Sequence, residues 1–301
     1  MKKAKNNSRM AVVYFALFIV SIGLIAAFIP SMIGLNFNSD ENIEYYQSPL
    51  CVSYIDVGQG DCSLIQCNGV NILVDGGEYT ATGTVTNYLR DVEVEKIDCY
   101  ILTHPHSDHI GASADIISRV PVDKVMLTHF SEFNMPTTNT YENVLNAIGE
   151  SKAEVVEVKA GDSFNFGDIQ LDIVAPFEES DDYNEMSIVF TATYKDTKLL
   201  FSGDTTKKIE KQILAEGFDV DCDVLKVAHH GSSTSSSAEF VDAVSPELAV
   251  ISCGSGNSYG HPHFEIIDLY SNRNITMMRT DESGTIIYYG DGKLMKSGTV
   301  E

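Results

Sequence analysis

The sequence predicts an α/β domain with mixed sheets and helices on the outside. Short apolar runs rich in β-branched residues alternate with longer amphipathic ones, and neighbours are joined both by hairpin-type turns and by helix-length connections. The polar residues able to do chemistry each fall directly after an apolar run, as happens where a site is assembled along one edge of a sheet. Strands are expected over residues 52–57, 62–67, 70–74, 98–103, 124–127, 154–158, 169–174, 187–193, 198–202, 223–228 and 248–252. Asn68-Gly69, between the second and third of these, suits a two-residue hairpin turn because both residues tolerate positive φ. Helices are expected over 110–120, 141–150, 206–216, 238–244 and 264–271, where apolar residues recur at helical spacing. There is no internal repeat, and low complexity is confined to the serine-rich run 232–237.

The chain ahead of this domain divides into three. Lys2, Lys3, Lys5 and Arg9 make residues 1–9 a basic tail. Residues 10–29 are apolar and uncharged, long enough to cross a bilayer, so a transmembrane signal-anchor helix is placed at 10–30. Residues 31–49, rich in Asn, Asp, Glu and Ser, read as a polar tether, and the globular domain is placed at 50–298. Positive charge before the span keeps the tail in the cytoplasm and puts the domain outside, as in a single-pass membrane protein. A cleaved leader, which would make the domain a secreted protein, fits less well. The apolar run is long for one, and Ala26-Ala27-Phe28-Ile29-Pro30 lacks the small-x-small pattern of a cleavage site.

The formal net charge is −23, and without the four basic residues of the tail it is −27. A protein that tracks a long stretch of nucleic acid presents a basic groove, so this balance argues against extended DNA binding. It leaves room for one phosphate at a local, metal-lined mouth. Six cysteines, at 51, 62, 67, 99, 222 and 253, could pair in an oxidising compartment. Cys99, Cys222 and Cys253, however, lie in apolar strand-like runs where a free thiol behaves as a small hydrophobe. No pair has zinc-ribbon spacing.

Seven of the eight histidines fall in three clusters, which random scatter would not produce: His104, His106 and His109; His229 and His230; His261 and His263. In Thr103-His-Pro-His-Ser-Asp-His109 the first two imidazoles alternate on an extended segment and can point to one side. Asp108 and His109 follow at the turn and can face a second ion. Imidazole nitrogen and carboxylate oxygen suit Zn²⁺, and also Mn²⁺ or Fe²⁺. His129 stands alone and reads as a solvated residue without a role.

His104-x-His106-x-Asp108-His109, preceded by Ile72-Leu-Val-Asp75-Gly-Gly and followed by Leu199-Leu-Phe-Ser-Gly-Asp204, resembles the ordered motifs of the metallo-β-lactamase superfamily. Val57-Gly-Gln-Gly-Asp61, Asp223-Val-Leu-Lys-Val-Ala-His-His-Gly-Ser232 and Asn257-Ser-Tyr-Gly-His-Pro-His263 bring it closer to the C-terminal domain of ComEC-type competence proteins. The resemblance runs over almost the whole chain beyond the tether. It implies an αββα sandwich and two divalent metal ions, Zn²⁺ foremost. It implies His104 and His106 on one ion, Asp108 and His109 on the other, Asp204 bridging them, and a histidine from His229-His230 completing the set; the residues do not decide which. Many superfamily members carry a further histidine before the bridging aspartate. Here the stretch Asp182-Tyr-Asn184-Glu-Met-Ser187 has none, as ComEC-type sequences tend to, which assigns Asn184 a supporting place.

The chemistry implied is hydrolysis by a metal-bridging hydroxide that Asp108 orients, most readily of a phosphodiester. Asp75 reads as a support for the ligand loop, and Asp61 as either such a support or a turn residue. Ser232 and Ser233 are expected at a helix N-terminus, where they could bind an anion or cap the helix. Asn257, Tyr259, His261 and His263 form a glycine-rich loop facing the substrate, with His261 bonding a phosphate oxygen or protonating the leaving group. The substrate partner would be DNA, a nucleotide or a cell-wall polymer. The anchor makes the membrane a second partner, and no protein partner is readable. Two other readings stay open: a non-catalytic, metal-stabilised binding module in DNA uptake or envelope maintenance, and a lactone or amide hydrolase.

Overall fold

The computed structural model describes residues 45–300; the basic tail, the span at 10–30 and most of the tether lie outside the described residues. Among the described residues no helix is long and apolar enough to cross a membrane. Two sheets stack face to face. The first has eight strands in the order β15-β14-β1-β2-β3-β4-β5-β6. These are β1 (Leu50–Tyr54), β2 (Ser63–Cys67), β3 (Val70–Val74), β4 (Cys99–Ile101), β5 (Lys124–Thr128), β6 (Glu154–Val158), β14 (Thr285–Gly290) and β15 (Met295–Val300). The second has seven in the order β13-β12-β11-β10-β9-β8-β7. Its strands are β7 (Ser163–Phe166), β8 (Ile169–Ala175), β9 (Val189–Tyr194), β10 (Thr197–Phe201), β11 (Val224–Lys226), β12 (Leu248–Ile251) and β13 (Thr276–Arg279).

Period-two alternation divides the apolar residues between layers. Ile65, Ile72, Ile101 and Met126 of the first sheet meet Leu171, Phe190, Leu199 and Val224 of the second in a central core. Leu64, Leu73, Tyr100 and Val125 point the other way, onto α1 (Thr82–Asp91), α3 (Ser113–Arg119) and α4 (Asn139–Glu150). Leu200, Leu225, Ala249 and Ile251 pack under α5 (Lys207–Glu216), α6 (Ala238–Val244) and α7 (Phe264–Ser271). The result is the expected αββα sandwich. Two short helical turns, α2 (Ser107–Ile110) and α8 (Thr280–Ser283), complete it.

The strands over 70–74 and 154–158 and the helices over 238–244 and 264–271 occupy the spans read from the sequence. Seven elements were not read: α1, α2, α8, β7, β13, β14 and β15. Packing also begins before residue 50, with the Tyr45 ring 4.5 Å from that of Tyr289. All six cysteines are buried as free thiols.

What matters for function is strand direction. β3, β4, β5 and β6 run parallel, as do β10, β11, β12 and β13. The loops leaving the C-terminal ends of β3, β4, β10, β11 and β12 therefore open on one edge of the sandwich, where α/β sites assemble.

Candidate metal centre

The first ligand loop leaves β4 through Leu102 and Thr103. Behind it sits Asp75, buried and in left-handed backbone just past β3. Its Oδ1 accepts from the Thr103 backbone N–H at 2.8 Å, and its Oδ2 from Thr103 Oγ1 and His109 Nδ1, both at 2.7 Å. The last contact fixes the His109 tautomer in the neutral ring with its proton on Nδ1, so that Nε2 is the nitrogen a cation would meet. His109 Nε2 lies 3.1 Å from Asp204 Oδ1, yet both atoms are buried without a hydrogen-bond partner. Two donor atoms that converge without bonding each other are what a shared cation requires, so the residues present fit one.

Asp204 follows the end of β10, and its backbone N–H donates to Ser187 Oγ at 3.1 Å. The second ligand loop follows β11. His229 and His230 fall directly after the strand expected over 223–228 but do not prolong it. They lie instead in a short turn, Ala228–Gly231, with consecutive left-handed conformations at φ 53° and 55°. Such backbone costs roughly 1–3 kcal/mol per residue and persists only where neighbours over-determine it. Here the His229 N–H donates to Gly203 O, the Ser232 N–H to His229 O and the His263 N–H to Gly231 O. The strain brings both rings to the site. His230 Nε2 is 3.2 Å from Asp108 Oδ2, and His229 Nε2 is 3.6 Å from Asp204 Oδ2. Only His230 joins a tight donor group, because His229 stays partly exposed with Nδ1 at Thr234 Oγ1.

Besides the fully buried Asp61, Asp75 and His109, whose donor atoms also converge, two sets face a cavity, each within 4.8 Å: Asp108, His109, Asp204 and His230; and His104, His106 and Asp204. Asp204 belongs to both. In the second set His104 Nε2 is 3.1 Å from His106 Nδ1 and 3.7 Å from Asp204 Oδ2. Burial opposes charge on Asp204, but His109 and His230 hold its carboxyl well below the usual range. Burial would also lower His230, yet Asp204, Asp108 and Asp61 push it up to about 10. His109 rises for the same reason, whereas burial and the neighbouring His109 drive His104 down. Burial and three surrounding imidazoles lower His261 to about 4, so it is neutral at physiological pH.

A cavity of about 340 Å³ opens over the two sets, and Gln59, Asn184, Tyr259 and His261 line it beside the ligands. Asn184 Oδ1 and His261 Nδ1 are buried there without partners. Other expected substrate contacts are spent on the protein itself. Ser232 and Ser233 do not sit at a helix N-terminus: α6 starts at Ala238, capped by Ser237, because the serine-rich run is used first to tie down the loop. Ser235 Oγ donates to Thr205 O, and the Ser236 and Ser237 N–H groups donate to the buried Glu210 carboxylate. Ser232 is buried, with its hydroxyl at Thr234 Oγ1. His263 stands just before α7, and its ring takes the Ser233 N–H on Nδ1 and faces Tyr259 O with Nε2. Asn257 gives its amide to Gly254 O and His261 O and receives the Tyr259 and His261 N–H groups. Ser232, Ser233, Asn257 and His263 thus brace the loops. His129 pairs with Glu157 at 2.8 Å on the surface.

Three residues escaped the sequence reading: Ser187, Gln59 and above all Lys226, which is buried and bonds Asp61 at 2.7 Å. A lysine inside an apolar run bounded by two parallel neighbours must find a buried anion, and that was the available signal.

The superfamily model for metallo-β-lactamases matches residues 55–255. The chain belongs to the metallo-β-lactamase superfamily. It is 29% identical over 258 residues to ComE operon protein 3 of Bacillus subtilis, covering 79% of this chain and 32% of that protein. It is 28% identical to competence protein ComA of Neisseria gonorrhoeae, covering 80% and 32%. Recombination protein 2 of Haemophilus influenzae is 29% identical, covering 78% and 28%. The chain thus spans about a third of the length of these relatives. Among solved structures, CmlA, a diiron β-hydroxylase from Streptomyces venezuelae, superposes with a TM-score of 0.55 at 17% identity, covering 84% of this chain and 54% of that one. Igni18, a metallo hydrolase from Ignicoccus hospitalis, gives 0.52 at 15%, covering 83% and 100%. At such identities these two share the metallo-β-lactamase fold and no more.

Proposed function

We propose that the chain is a two-metal hydrolase of phosphodiesters, held by the segment at 10–30 to the outer side of a membrane. Asp204 carries the reading: one buried carboxylate contributes to both donor groups, so it can serve two cations at once. His104 and His106 would hold one ion with Asp204, and Asp108, His109 and His230 the other. When bound, such a pair of divalent cations, Zn²⁺ or else Mn²⁺ or Fe²⁺, activates water near neutral pH and stabilises charge on phosphoryl oxygens. Asp108 is the most exposed of the carboxylates here, its side chain 25% accessible, and orients the attacking water. His261, neutral at pH 7, suits a hydrogen bond to a phosphate oxygen rather than proton donation. The similarity to competence proteins favours a phosphodiester, and the acidic surface favours a small or terminal one over long DNA.

The purified chain with Mn²⁺ or Zn²⁺ is expected to hydrolyse bis-p-nitrophenyl phosphate, and Asp204→Ala to lose activity and metal together, by about a hundredfold or more in rate. Turnover of nitrocefin or a lactone, with none of the phosphodiester, would transfer the assignment to amide or ester hydrolysis. Single-stranded DNA, a cyclic dinucleotide and a phosphorylcholine polymer separate the substrates within the class. A second reading, a non-catalytic binding module, draws on Asn184: with no further histidine there, His104, His106 and Asp204 make a three-residue set. Metal analysis separates the two, since catalysis of this kind needs close to two ions per chain.

A further inference from the structure

Directly beneath the metal centre lies a charged pair that the proposed reaction does not use. Lys226, the last residue of β11, is 2% exposed. Its Nζ donates to Asp61 Oδ2 at 2.7 Å and to Val227 O at 3.1 Å. Asp61 lies in the turn between β1 and β2. Its N–H donates to Asp108 O at 3.0 Å and its carbonyl accepts from Gly77 N–H at 2.8 Å, so its backbone is pinned against the first ligand loop. Its remaining oxygen, Oδ1, has no hydrogen-bond partner and stands 3.6 Å from His230 Nδ1.

The two inner histidines therefore differ in what stands behind them. His109 Nδ1 contacts a carboxylate, Asp75, at 2.7 Å. His230 Nδ1 contacts a neutral carbonyl, Ser252 O, at 3.0 Å, although a carboxylate is close by. A carboxylate behind a ligand imidazole raises its basicity and strengthens its hold on a metal; a neutral carbonyl does so less. A charge-assisted bond to a buried ammonium is stronger than a bond to a neutral imidazole N–H, so Asp61 stays with Lys226. We propose that Lys226 is a positioning residue that keeps the Asp61 carboxylate from a direct bond to His230, leaving only its through-space pull on the imidazole and making the cation site of Asp108, His109, Asp204 and His230 weaker than a bonded carboxylate would. A weaker-donating His230 leaves more of the cation's charge for the substrate, and that is the gain for hydrolysis. The inference rests on the two-metal reading, but not on the substrate.

The test is Zn²⁺ affinity of the metal-depleted chain, measured by chelator competition. Lys226→Met removes a positive charge and frees Asp61 to meet His230, so the tightest site should bind about tenfold more strongly, with a lower kcat on bis-p-nitrophenyl phosphate. In the double variant Lys226→Met/Asp61→Asn, His230 keeps only Ser252 behind it and affinity should return to within about twofold of the parent. Unchanged or weaker binding by a folded Lys226→Met chain overturns the proposal. Should that variant fail to fold, the double variant leaves no buried charge unpaired and decides alone. Binding tenfold weaker than the parent would mean that Asp61 already acts as a bonded partner of His230 in the native protein, which also overturns it. A chain that binds two ions with these affinities yet leaves every phosphodiester intact would sink the substrate reading and leave Lys226 in its role.

Discussion

The loop over 103–111 and the turn over 228–231 bring imidazoles to the same cavity by different means. The first is held from behind by one side chain: Asp75 collects the Thr103 N–H, the Thr103 hydroxyl and His109 Nδ1. The second is held by its own backbone. Two consecutive histidines in left-handed conformation, then Gly231 at φ +81°, fold the chain back under Gly203 and His263. One loop is thus specified by a buried charge and the other by a backbone path. A ligand residue can be preorganised either way, but the two loops should fail differently.

The largest effect is expected at Asp75. Asp75→Ala strands two N–H donors and a hydroxyl in a buried site and frees the His109 ring to change tautomer. Leaving such groups unpaired costs about 3–5 kcal/mol, read as a lowered denaturation midpoint at constant m-value, and metal retention should fall with it. A loss below about 1 kcal/mol would show that the first loop does not depend on this carboxylate.

A smaller effect is expected from Gly231→Ala. The added Cβ would sit 2.6 Å from Pro262 Cβ, on a residue whose positive φ already disfavours a side chain. Strain and overlap together cost about 2–3 kcal/mol. Because Gly231 O receives the His263 N–H, the shift should carry the His261 loop with it. Raised KM on bis-p-nitrophenyl phosphate, with metal content closer to normal than in Asp75→Ala, is the expected signature. If both variants lost metal equally, the division between a charge-held and a backbone-held loop would collapse.

The same division governs what could be read in advance. The strands over 70–74 and 154–158 announce themselves through β-branched residues, and the meeting of the histidine clusters follows from their position after strand-like runs. Asp75 was legible for the same reason. Histidine visits the left-handed region more often than most residues, but Ala228-His-His-Gly231 gives no sign that two in succession will do so. The run 232–237 looks like the start of a helix, but the Ser236 and Ser237 N–H groups go to Glu210, a partner 26 or 27 residues away. Lys226 bonds a residue 165 positions distant, beyond any local pattern. The helix α1 buries only Val85 and Leu89 and carries Gly83 and three threonines, so tertiary packing rather than propensity holds it. β15 has few apolar residues and forms an edge, whereas β14, Thr-Ile-Ile-Tyr-Tyr-Gly, has the β-branched and aromatic composition of a strand.

The most graded test is pH. In the metal-free protein, burial disfavours a charged His230, but Asp204, Asp108 and Asp61 outweigh it and raise the imidazole to about 10. An unfolded histidine titrates near 6.5. Because the folded value lies above the unfolded one, the stabilising contribution is complete below about pH 6.5 and is lost as pH climbs towards about 10. His109 is displaced in the same direction. The Tm of the chelator-treated protein should therefore fall between pH 7 and 9. The loaded protein should move the opposite way, because a cation must displace those protons. Its affinity rises with pH by up to about tenfold per unit for each proton released, or about 1.4 kcal/mol. Proton release measured in buffers of different ionisation enthalpy gives the count directly. A metal-free Tm that climbs over this range would mean that the inner histidines are already neutral, and that the carboxylates around them repel one another instead of sharing the imidazole protons.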